Sequence, residues 1–396
     1  MNCPRRLLEI FLVALRLGCT SFGGPIAHIG YFREEYVKRR LWLDEEEYAD
    51  IVSLCQVLPG PTSSQVGITV GISRAGLAGG VIAWLGFTLP SASVLILFAL
   101  GVANAEDLEE SGWLHGLKLM SVAVVALAVW GMARAICVDR IRTTLAGLSA
   151  ITILAVASPS VQIYVIFAGA IVGWVLLREK FAGVTSSRRF PISKQFGICS
   201  LIAFASLVIF LPILRQATGS SALEMLDSFY RAGSLVFGGG HVVLPLLQSE
   251  VVENGWVTQD TFLAGYAAAQ AIPGPLFTFA AYLGTAMDKL QNPVFGGLLC
   301  LGAIFIPSFL LITGVLPFWN ILSSRGWFRG SLAGVNAAVV GLLMAALYDP
   351  VWTSAISSGT DLGFVIAITC LISVWKCPVW LVVLLAGISS ELMSIV

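Results

Sequence analysis

The sequence predicts an all-α polytopic membrane protein built from two inverted-topology repeats with Gly/Pro-broken or re-entrant helices, joined by a linker helix. Three observations predict this fold class: the composition, the order of the long apolar runs, and a set of motifs that occurs twice. Of the 396 residues, 57% are hydrophobic and 12% are charged, and the mean hydropathy is +0.88. Soluble domains carry about 25% charged residues, so this chain has too few charges to cover a water-soluble globule.

The composition also excludes several kinds of partner and site. The 23 basic and 23 acidic residues give a formal net charge of zero, so no bulk attraction for nucleic acid is expected. The eight cysteines are scattered and there are only three histidines, so we expect no metal site and no cofactor. The sequence has no G-x-x-x-x-G-K-[ST] loop, so direct use of ATP is not expected. It shows no ligand set for haem, flavin or a metal, so an intramembrane enzyme such as a reductase is not expected.

The apolar runs follow a six-one-six order along the chain. A helix that spans a bilayer needs about 20 apolar residues, and several runs reach that length. The order predicts an N-terminal repeat over 1–177, a basic loop and linker transmembrane helix over 178–221, and a C-terminal inverted repeat over 222–396. The runs fall at about 7–30, 49–72, 76–103, 113–136, 144–157, 160–177, 196–214, 222–247, 261–285, 294–320, 329–348, 361–375 and 378–395.

Four motifs recur in the second half in the same order, which indicates a duplication. Their offset stays between about 214 and 217 over more than a hundred positions, so the two halves are copies. The pairs are RLGCTSFGGP at 16–25 with RAGSLVFGGG at 231–240, CQVLPGP at 55–61 with AQAIPGP at 269–275, FTLPS at 87–91 with FIPS at 305–308, and SVAVV at 121–125 with NAAVV at 336–340.

The placement of lysine and arginine predicts which side of the membrane each loop faces. Acidic stretches without any basic residue, at 104–112, 248–260 and 349–361, are assigned to the outside. The run at 76–103 then goes outward and its copy at 294–320 comes inward, so the halves are inverted, as in many secondary transporters. The cytoplasmic stretches hold 18 of the 23 basic residues and lie at 1–6, 33–48, 73–75, 134–142, 178–195, 321–330 and 376.

The same assignment places both ends of the first two runs of each half on one side. Each half then contains two re-entrant hairpins, with SFGGP, LPGP, FGGG and IPGP near their tips. The alternative is thirteen ordinary spans, with the acidic residues 44–47 allowing the loop at 33–48 to lie outside. The hairpin interpretation is favoured, and the alternative stays open.

Matched glycine and proline breaks indicate where a substrate binds, because irregular backbone at membrane depth is tolerated only inside protein or along a wet cavity. A helix that restarts after Pro59-Gly60-Pro61 directs its free N–H groups and its dipole at the break, which favours an anion. For any single motif, the alternative to a binding site is a helix kink that serves only packing. The candidate substrate-binding residues at the breaks are Phe22, Gly23, Gly24, Pro59, Gly60, Pro61, Thr62, Ser63, Gly238, Gly239, Gly240, Pro273, Gly274 and Pro275.

Arg16 and Arg231 lie inside apolar runs at equivalent positions, six residues before FGG. A charge there costs about 2.5–3.5 kcal/mol on insertion scales and usually marks function. Glu9 and Glu224 lie seven residues before the arginines, on about the same helix face. In one interpretation, a glutamate and an arginine form a structural ion pair in each half. In the other, both arginines face a shared cavity and neutralise a divalent oxyanion, which makes them substrate-binding residues and the glutamates candidates for coupling.

A few more polar residues near the breaks are candidates. Gln56 and Gln270 each lie three residues before the proline of PGP, where an amide could donate to substrate or join two helices. His28 and His241 lie near the FGG breaks without being repeat equivalents, and both are candidates for proton coupling. Lys118 lies close to a helix start, from which its side chain can reach the surface.

At these motifs the chain resembles the chromate ion transporter (CHR) family in its two-domain form, and the resemblance covers nearly the whole chain. The second half departs from the first by carrying Gly240 where the first has Pro25, which indicates that the halves are not functionally interchangeable. The resemblance is strongest at Ser21–Pro25 with Ala27-His28, Arg40–Leu43, Cys55–Pro61, Phe237–His241, Gly255-Trp256 and Gln270–Leu276.

The resemblance implies a secondary transporter that exports chromate through the bacterial inner membrane and confers chromate resistance. A sulfate-type oxyanion permease is the alternative, because some members of the family are linked to sulfate metabolism and both ions are tetrahedral dianions. The implied partners are chromate or a sulfate-like oxyanion and membrane lipid, with no nucleic acid. A homodimer stays open.

Overall fold

The computed structural model describes residues 3–22, 24–103, 112–156, 159–178, 191–237, 242–287, 289–323 and 325–395. Within these ranges the chain is helical and has no β-strand, so the predicted all-α class is confirmed. Helices long and apolar enough to cross a membrane make it a multi-pass membrane protein. The described ranges contain five of them, at Thr62–Gly101, Gly112–Ile136, Lys194–Thr218, Pro293–Phe318 and Gly326–Ala355.

The first half of the chain forms seven helices within the described residues. Two of them begin at strong N-terminal caps, because the Asp44 and Asp139 carboxylates accept hydrogen bonds from backbone N–H groups of the first turn. A π-helical turn over Glu34–Arg39 extends the second helix. The helices are α1 (Cys3–Thr20), α2 (Gly24–Arg33), α3 (Glu45–Val57), α4 (Thr62–Ala103), α5 (Gly112–Ile136), α6 (Arg140–Ala155) and α7 (Pro159–Leu176).

A single helix, α8 (Lys194–Thr218), follows the first half, as the sequence predicts for the linker. The Ser193 hydroxyl caps its start, and Gly219 ends it in a left-handed conformation. The second half comprises α9 (Ser221–Leu235), α10 (Val243–Val251), α11 (Gln259–Ala271), α12 (Phe279–Ala286), α13 (Pro293–Val315), α14 (Trp319–Ser323), α15 (Gly326–Ala346), α16 (Thr353–Ala355), α17 (Gly359–Ser373) and α18 (Val379–Ile395).

The paired helices on either side of the PGP motifs are short. The helix α3 has 13 residues, which is about 20 Å at 1.5 Å per residue, whereas the hydrocarbon core is about 30 Å thick. The helix α4 is interrupted at Ala75 and Gly76, where Gly76 takes a φ of +66°, so its first part, 62–74, is equally short. These lengths are those expected of a re-entrant hairpin, which stays a prediction.

The two halves exchange helices with each other. The helix α15 of the second half packs along α6 and α7 of the first, and α5 of the first half packs along α17 and α18 of the second. Within each half, the first helix crosses the long helix that follows the hairpins, at the equivalent glycines Gly18 and Gly233. A Cβ at either glycine would meet a backbone carbonyl of the partner helix, which is the close packing that small residues allow between membrane helices.

Charged residues collect at two opposite ends of the helices. One end, called here the basic face, holds the arginines of 134–142 and 325–329, of which Arg142 and Arg329 line one cavity. The other, called the acidic face, holds 248–260, 349–361 and the start of α5. Three contacts join the parts of the acidic face, namely Lys118 with Asp260, His115 with Asp361, and the Trp113 backbone N–H with Glu391.

Candidate functional site

The helices of the first half stop at the predicted Gly/Pro motifs. The helix α1 ends at Thr20 and α2 begins at Gly24, so SFGGP forms the break between them. The helix α3 ends at Val57 and α4 begins at Thr62, directly after Pro59-Gly60-Pro61. The predicted helix restart after PGP is therefore confirmed.

The second half repeats this arrangement. The helix α9 ends at Leu235, before FGGG, and α11 ends at Ala271, before Pro273-Gly274-Pro275. A short 3₁₀ turn over Leu276–Thr278 then leads into α12. Five predicted site residues lie outside the described residues: Gly23, Gly238, Gly239, Gly240 and His241.

A reciprocal pair of hydrogen bonds joins the breaks of the two halves. The Gly60 backbone N–H donates to the Val236 carbonyl oxygen at 2.6 Å, and the Gly274 backbone N–H donates to the Ser21 carbonyl oxygen at 3.0 Å. Gly60 and Gly274 are repeat equivalents, and so are Ser21 and Val236. Each PGP motif therefore binds the end of the helix that precedes the FGG motif of the opposite half. We call these contacts the two junctions.

Only glycine fits at the centre of each junction. Gly60 has a φ of +123° and Gly274 a φ of +111°, in the region that favours glycine. A Cβ at Gly60 would collide with the Ser308 hydroxyl, and a Cβ at Gly274 would lie 2.8 Å from the Ser91 hydroxyl. Because Ser91 and Ser308 are themselves repeat equivalents, each PGP glycine faces a serine of the opposite half.

Several buried polar atoms near the junctions have no hydrogen-bond partner within the described ranges. They are Ser21 Oγ, His28 Nδ1, Ser64 Oγ, Gln65 Oε1 and Ser308 Oγ. Native interiors leave few such atoms unsatisfied, so these groups are available to a bridging water or a polar ligand. The other ring nitrogen of His28 lies 3.1 Å from the Ser21 carbonyl oxygen, which fixes the imidazole beside the first FGG break.

A cavity of about 200 Å³, called here the junction cavity, lies beside Gly274. Its lining includes Gly24, His28, Gln270 and Gly274, and the rest is apolar. The structure therefore brings together four predicted residues from the first FGG break and the second PGP motif.

A second cavity, of about 320 Å³, lies at the basic face and is called here the basic-face cavity. Ser53, Gln56, Arg142, Arg329 and Asn336 supply its polar lining. Gln56 and Gln270, although repeat equivalents, thus line two different cavities. This difference between equivalent positions is the clearest departure from symmetry in the described part of the chain.

The remaining predicted residues of the PGP motifs are enclosed by protein. Pro61, Thr62 and Ser63 are buried, and the Pro59 carbonyl accepts a hydrogen bond from the Gln65 amide at 2.6 Å. In the second half, the Pro275 carbonyl accepts from the Thr278 hydroxyl at 2.7 Å. Pro273 and Phe22 are half-buried. These contacts hold the shape of each break.

Arg16 and Arg231 pair with glutamates at equivalent positions. Arg16 Nη1 lies 3.6 Å from Glu35 Oε2, and Arg231 Nη2 lies 3.1 Å from Glu250 Oε2. An offset of 215 relates both the arginines and the glutamates. Arg231 also pairs with Asp227 at 3.0 Å. Neither arginine lines the junction cavity or the basic-face cavity, so the structure does not bring them together in either.

Glu9 and Glu224 pair with basic residues other than the arginine of their own helix. Glu9 lies 3.3 Å from Arg40 and 4.0 Å from Arg74, and Glu224 lies 2.7 Å from Lys289. Arg74 and Lys289 are repeat equivalents. Each half thus contains ion pairs, but with different partners from those that the sequence suggests. Glu9 and Glu224 pair with residues of other elements, and within α9 Arg231 pairs with Asp227 and not with Glu224.

Contacts between helices close the acidic face, whereas the basic face contains a cavity. Lys118 does not only reach the surface: its ammonium lies 2.6 Å from Asp260 and ties α5 to α11. Less than one turn further on, Ser121 is fully buried, and its hydroxyl donates to the Leu117 carbonyl oxygen of its own helix at 3.1 Å and lies 3.4 Å from the Leu263 carbonyl oxygen of α11. The equivalent residue in α15, Asn336, lines the basic-face cavity.

Electrostatics at the acidic face involve several carboxylates. Burial raises the pKa of Glu253, in the turn before α11, and the carboxylates of Glu250 and Asp349 raise it further. Asp227 is almost fully buried and neutralises two arginines, Arg215 and Arg231, each at 3.0 Å. Among the described residues, no group of three or more His, Cys, Asp or Glu side chains is placed to hold a metal ion.

Sequence reasoning missed several residues of this site. Glu35 and Glu250 would have been found by applying the offset of 215 to every charged residue. Ser91 and Ser308 were recognised as equivalents, but nothing in the sequence places them against the PGP glycines. Arg142 and Arg329 carry no motif, because their cavity forms only when α3, α6 and α15 meet.

Comparison with known proteins agrees with this architecture. A family model described as chromate transporter matches the chain twice, over residues 8–174 and 223–390. A chromate transport protein of Pseudomonas aeruginosa is 28% identical over 87% of this chain and 81% of the relative. A probable chromate transport protein of Synechococcus elongatus is 28% identical over 97% of this chain and 94% of the relative.

An archaeal relative extends the comparison. An uncharacterized transporter of Methanocaldococcus jannaschii is 27% identical over 85% of this chain and 83% of the relative. No solved structure matches the chain. Since one family model covers most of the chain in two copies, the resemblance read from the motifs is confirmed, and the chain belongs to the chromate transporter family in its two-domain form.

Proposed function

We propose that this chain is a secondary transporter that moves chromate outward across a bacterial cytoplasmic membrane and thereby gives chromate resistance. The observation that carries the proposal is the reciprocal pair of junctions, in which broken helices of both halves meet around Gly60 and Gly274. Interrupted helices at matching positions of two repeats form the substrate sites of many secondary transporters. The identity of the proposed substrate is taken from relatives that are named as chromate transport proteins.

The chemistry of the junctions suits a tetrahedral dianion. Helix N-termini present backbone N–H groups and the positive end of a dipole, and the start of α4 adds the buried hydroxyls of Thr62, Ser63 and Ser64. Ser64 Oγ and Ser308 Oγ have no partner in the described ranges. Gln270, His28 and Gly24 line the junction cavity together with Gly274. These groups can replace part of the hydration shell of an oxyanion.

The direction of transport follows from the membrane potential. A dianion that leaves a cell with a negative interior is driven outward by about 2.3 kcal/mol per charge per 100 mV. Export therefore needs no further energy source, whereas uptake needs co-transported cations. The alternative, a sulfate-type oxyanion permease that works inward, uses the same tetrahedral site, because sulfate has the same charge and shape.

The ion pairs of Arg16 and Arg231 favour a structural role over direct substrate binding. A double variant, Arg16→Gln with Arg231→Gln, separates the two roles. Binding residues would raise the KM for chromate in a variant that is folded and present in the membrane. Structural residues would lower the amount and thermal stability of the protein and leave the KM of the folded fraction unchanged.

Uptake of chromate into inside-out membrane vesicles tests the proposal. Cells that express the chain should yield vesicles that accumulate chromate, with sulfate as a competitor and with loss of accumulation when an uncoupler collapses the potential. Vesicles from cells with an empty vector are the control. If inside-out vesicles accumulate nothing and right-side-out vesicles take up sulfate, the permease replaces the exporter.

A further inference from the structure

We infer that the basic-face cavity binds the dianion before it reaches the junctions, with Arg329, Arg142, Gln56 and Asn336 as its ligands. The inference rests on the proposed transport of a tetrahedral dianion and deepens it by naming where the ion is held on the cytoplasmic side. None of the motifs of the family resemblance includes Arg142, Arg329 or Asn336.

One of the two arginines that line the cavity has no carboxylate partner among the described residues. Arg142 forms an ion pair with Asp139, in which both its Nε and its Nη2 lie 3.1 Å from the carboxylate oxygen Oδ2. Arg329 has no ion pair with any residue in the part of the chain that the structure describes, and its side chain is only half-exposed. A cationic cavity next to low-dielectric walls concentrates anions, so the pocket selects by charge.

Two amide side chains complete the set of groups. Gln56 is exposed to the cavity, and Asn336 lines it from α15. The Asn336 Oδ1 atom is buried and has no hydrogen-bond partner within the described residues. Burial of an unpaired amide is costly, and a ligand or its water shell in this cavity would remove that cost. Planar guanidinium groups with amide donors beside them match the oxygens of a tetrahedral anion.

The position of the cavity places it on the route to the junctions. Gln56 lies four residues before Gly60, so the cavity reaches the end of α3, directly before the first PGP motif. The walls come from both halves, since α3, α5 and α6 belong to the first half and α15 to the second. Movement of α15 against α3 would therefore open or close the site.

Direct binding of radiolabelled sulfate to the purified full-length protein tests this site without relying on transport. Arg329→Gln should weaken binding by about tenfold or more, which is the size expected for losing a hydrogen bond to a charged group. Arg329→Lys should retain part of the affinity, because it keeps the charge and loses the planar fork. The matched control is Arg134→Gln, because Arg134 stacks on Trp130 and does not line the cavity.

In inside-out vesicles, Arg329→Gln should raise the KM for chromate by a similar factor and leave the maximal rate of the folded protein nearly unchanged. If Arg329→Gln does not fold, Ser53→Cys replaces it in a chain otherwise free of cysteine, and sulfate should slow the labelling of that thiol.

Equal sulfate affinity in Arg329→Gln and Arg134→Gln, or labelling of Ser53→Cys that sulfate does not slow, overturns the inference. If the wild-type protein binds sulfate in an Arg329-dependent way but vesicles accumulate no chromate, the proposed transport of chromate fails and the site stands.

Discussion

At the scale of single residues, the two PGP glycines matter because of the space that they leave and the backbone conformation that they adopt. Gly60 and Gly274 combine a positive φ with contact to a serine of the opposite half. Such a backbone conformation costs a residue with a side chain about 1–3 kcal/mol, before any collision is counted. The same two residues donate the hydrogen bonds of the junctions. In each half, one glycine therefore determines both the local backbone geometry and the contact with the other half.

Substitution of Gly60 or Gly274 by alanine should therefore abolish chromate accumulation and lower the thermal stability of the purified protein. The new Cβ cannot be accommodated unless the PGP motif moves away from the opposite half. Gly67→Ala is the matched control, because Gly67 lies in α4, soon after the first PGP motif, and a Cβ there meets nothing within 4 Å. Normal transport by Gly60→Ala would show that the junction is not needed.

Asp227 and Glu250 should differ in their contribution to stability. Asp227 is 1% exposed and neutralises two arginines, whereas Glu250 is 21% exposed and pairs with Arg231 alone. Removing one partner of a buried pair costs about 3–5 kcal/mol, whereas the half-buried Glu250 keeps part of its contact with water, so its loss leaves a smaller penalty. Asp227→Asn should thus lower the unfolding temperature far more than Glu250→Gln does. Equal losses for the two variants would contradict this account.

At the scale of helices, the interruption of α4 separates its short hairpin part from its spanning part. Gly76 adopts a φ of +66° in open space, where a Cβ would meet nothing within 4 Å. The cost of a side chain there is purely conformational, because a ψ of −160° puts Gly76 in a backbone region that essentially only glycine adopts, at a cost of about 1–3 kcal/mol for other residues.

A series of substitutions at Gly76 should consequently follow backbone preference and not size. We expect Gly76→Asn, Gly76→Ala and Gly76→Val all to be less abundant and less stable than the wild type, by similar amounts despite their different volumes. Gly101→Ala, at a position in the same helix that is also free of contacts, should have little effect. The amount of monodisperse protein after detergent extraction measures the series, and a ranking by volume alone would refute the argument.

The elements that the sequence predicts well are those that depend on local chemistry. Helix ends at the Gly/Pro motifs, the linker helix α8 and the duplication all follow from residue types and spacing. The exchange of α5 and α15 between the halves depends on tertiary packing, which leaves no local signal. For the same reason, the sequence points to Arg16 as a charge within an apolar run but not to its partner Glu35, because the pair forms between separate helices.

At the scale of the whole molecule, the two repeats share a fold, but the acidic face is closed by contacts between helices and the basic face contains a cavity. On the acidic face, the ion pair of Lys118 with Asp260 joins α5 to α11, and the buried Ser121 of α5 packs against α11. On the basic face, a cavity separates Asn336 of α15 from Gln56 of α3. Two inverted copies in different conformations are what alternating access requires, because exchanging the two conformations would move the opening to the other face.

The accessibility of two equivalent residues should report this asymmetry. In a chain whose eight native cysteines are replaced, Asn336→Cys should react with a membrane-impermeant thiol reagent in inside-out vesicles, whereas Ser121→Cys should stay unreactive in right-side-out vesicles. Adding Asp260→Asn removes the ion pair that ties α5 to α11 and should make Ser121→Cys reactive, with slower labelling of Asn336→Cys, because opening one face closes the other. Labelling of Asn336→Cys that Asp260→Asn leaves unchanged would mean that the two faces open independently, and the transporter would then need a different mechanism.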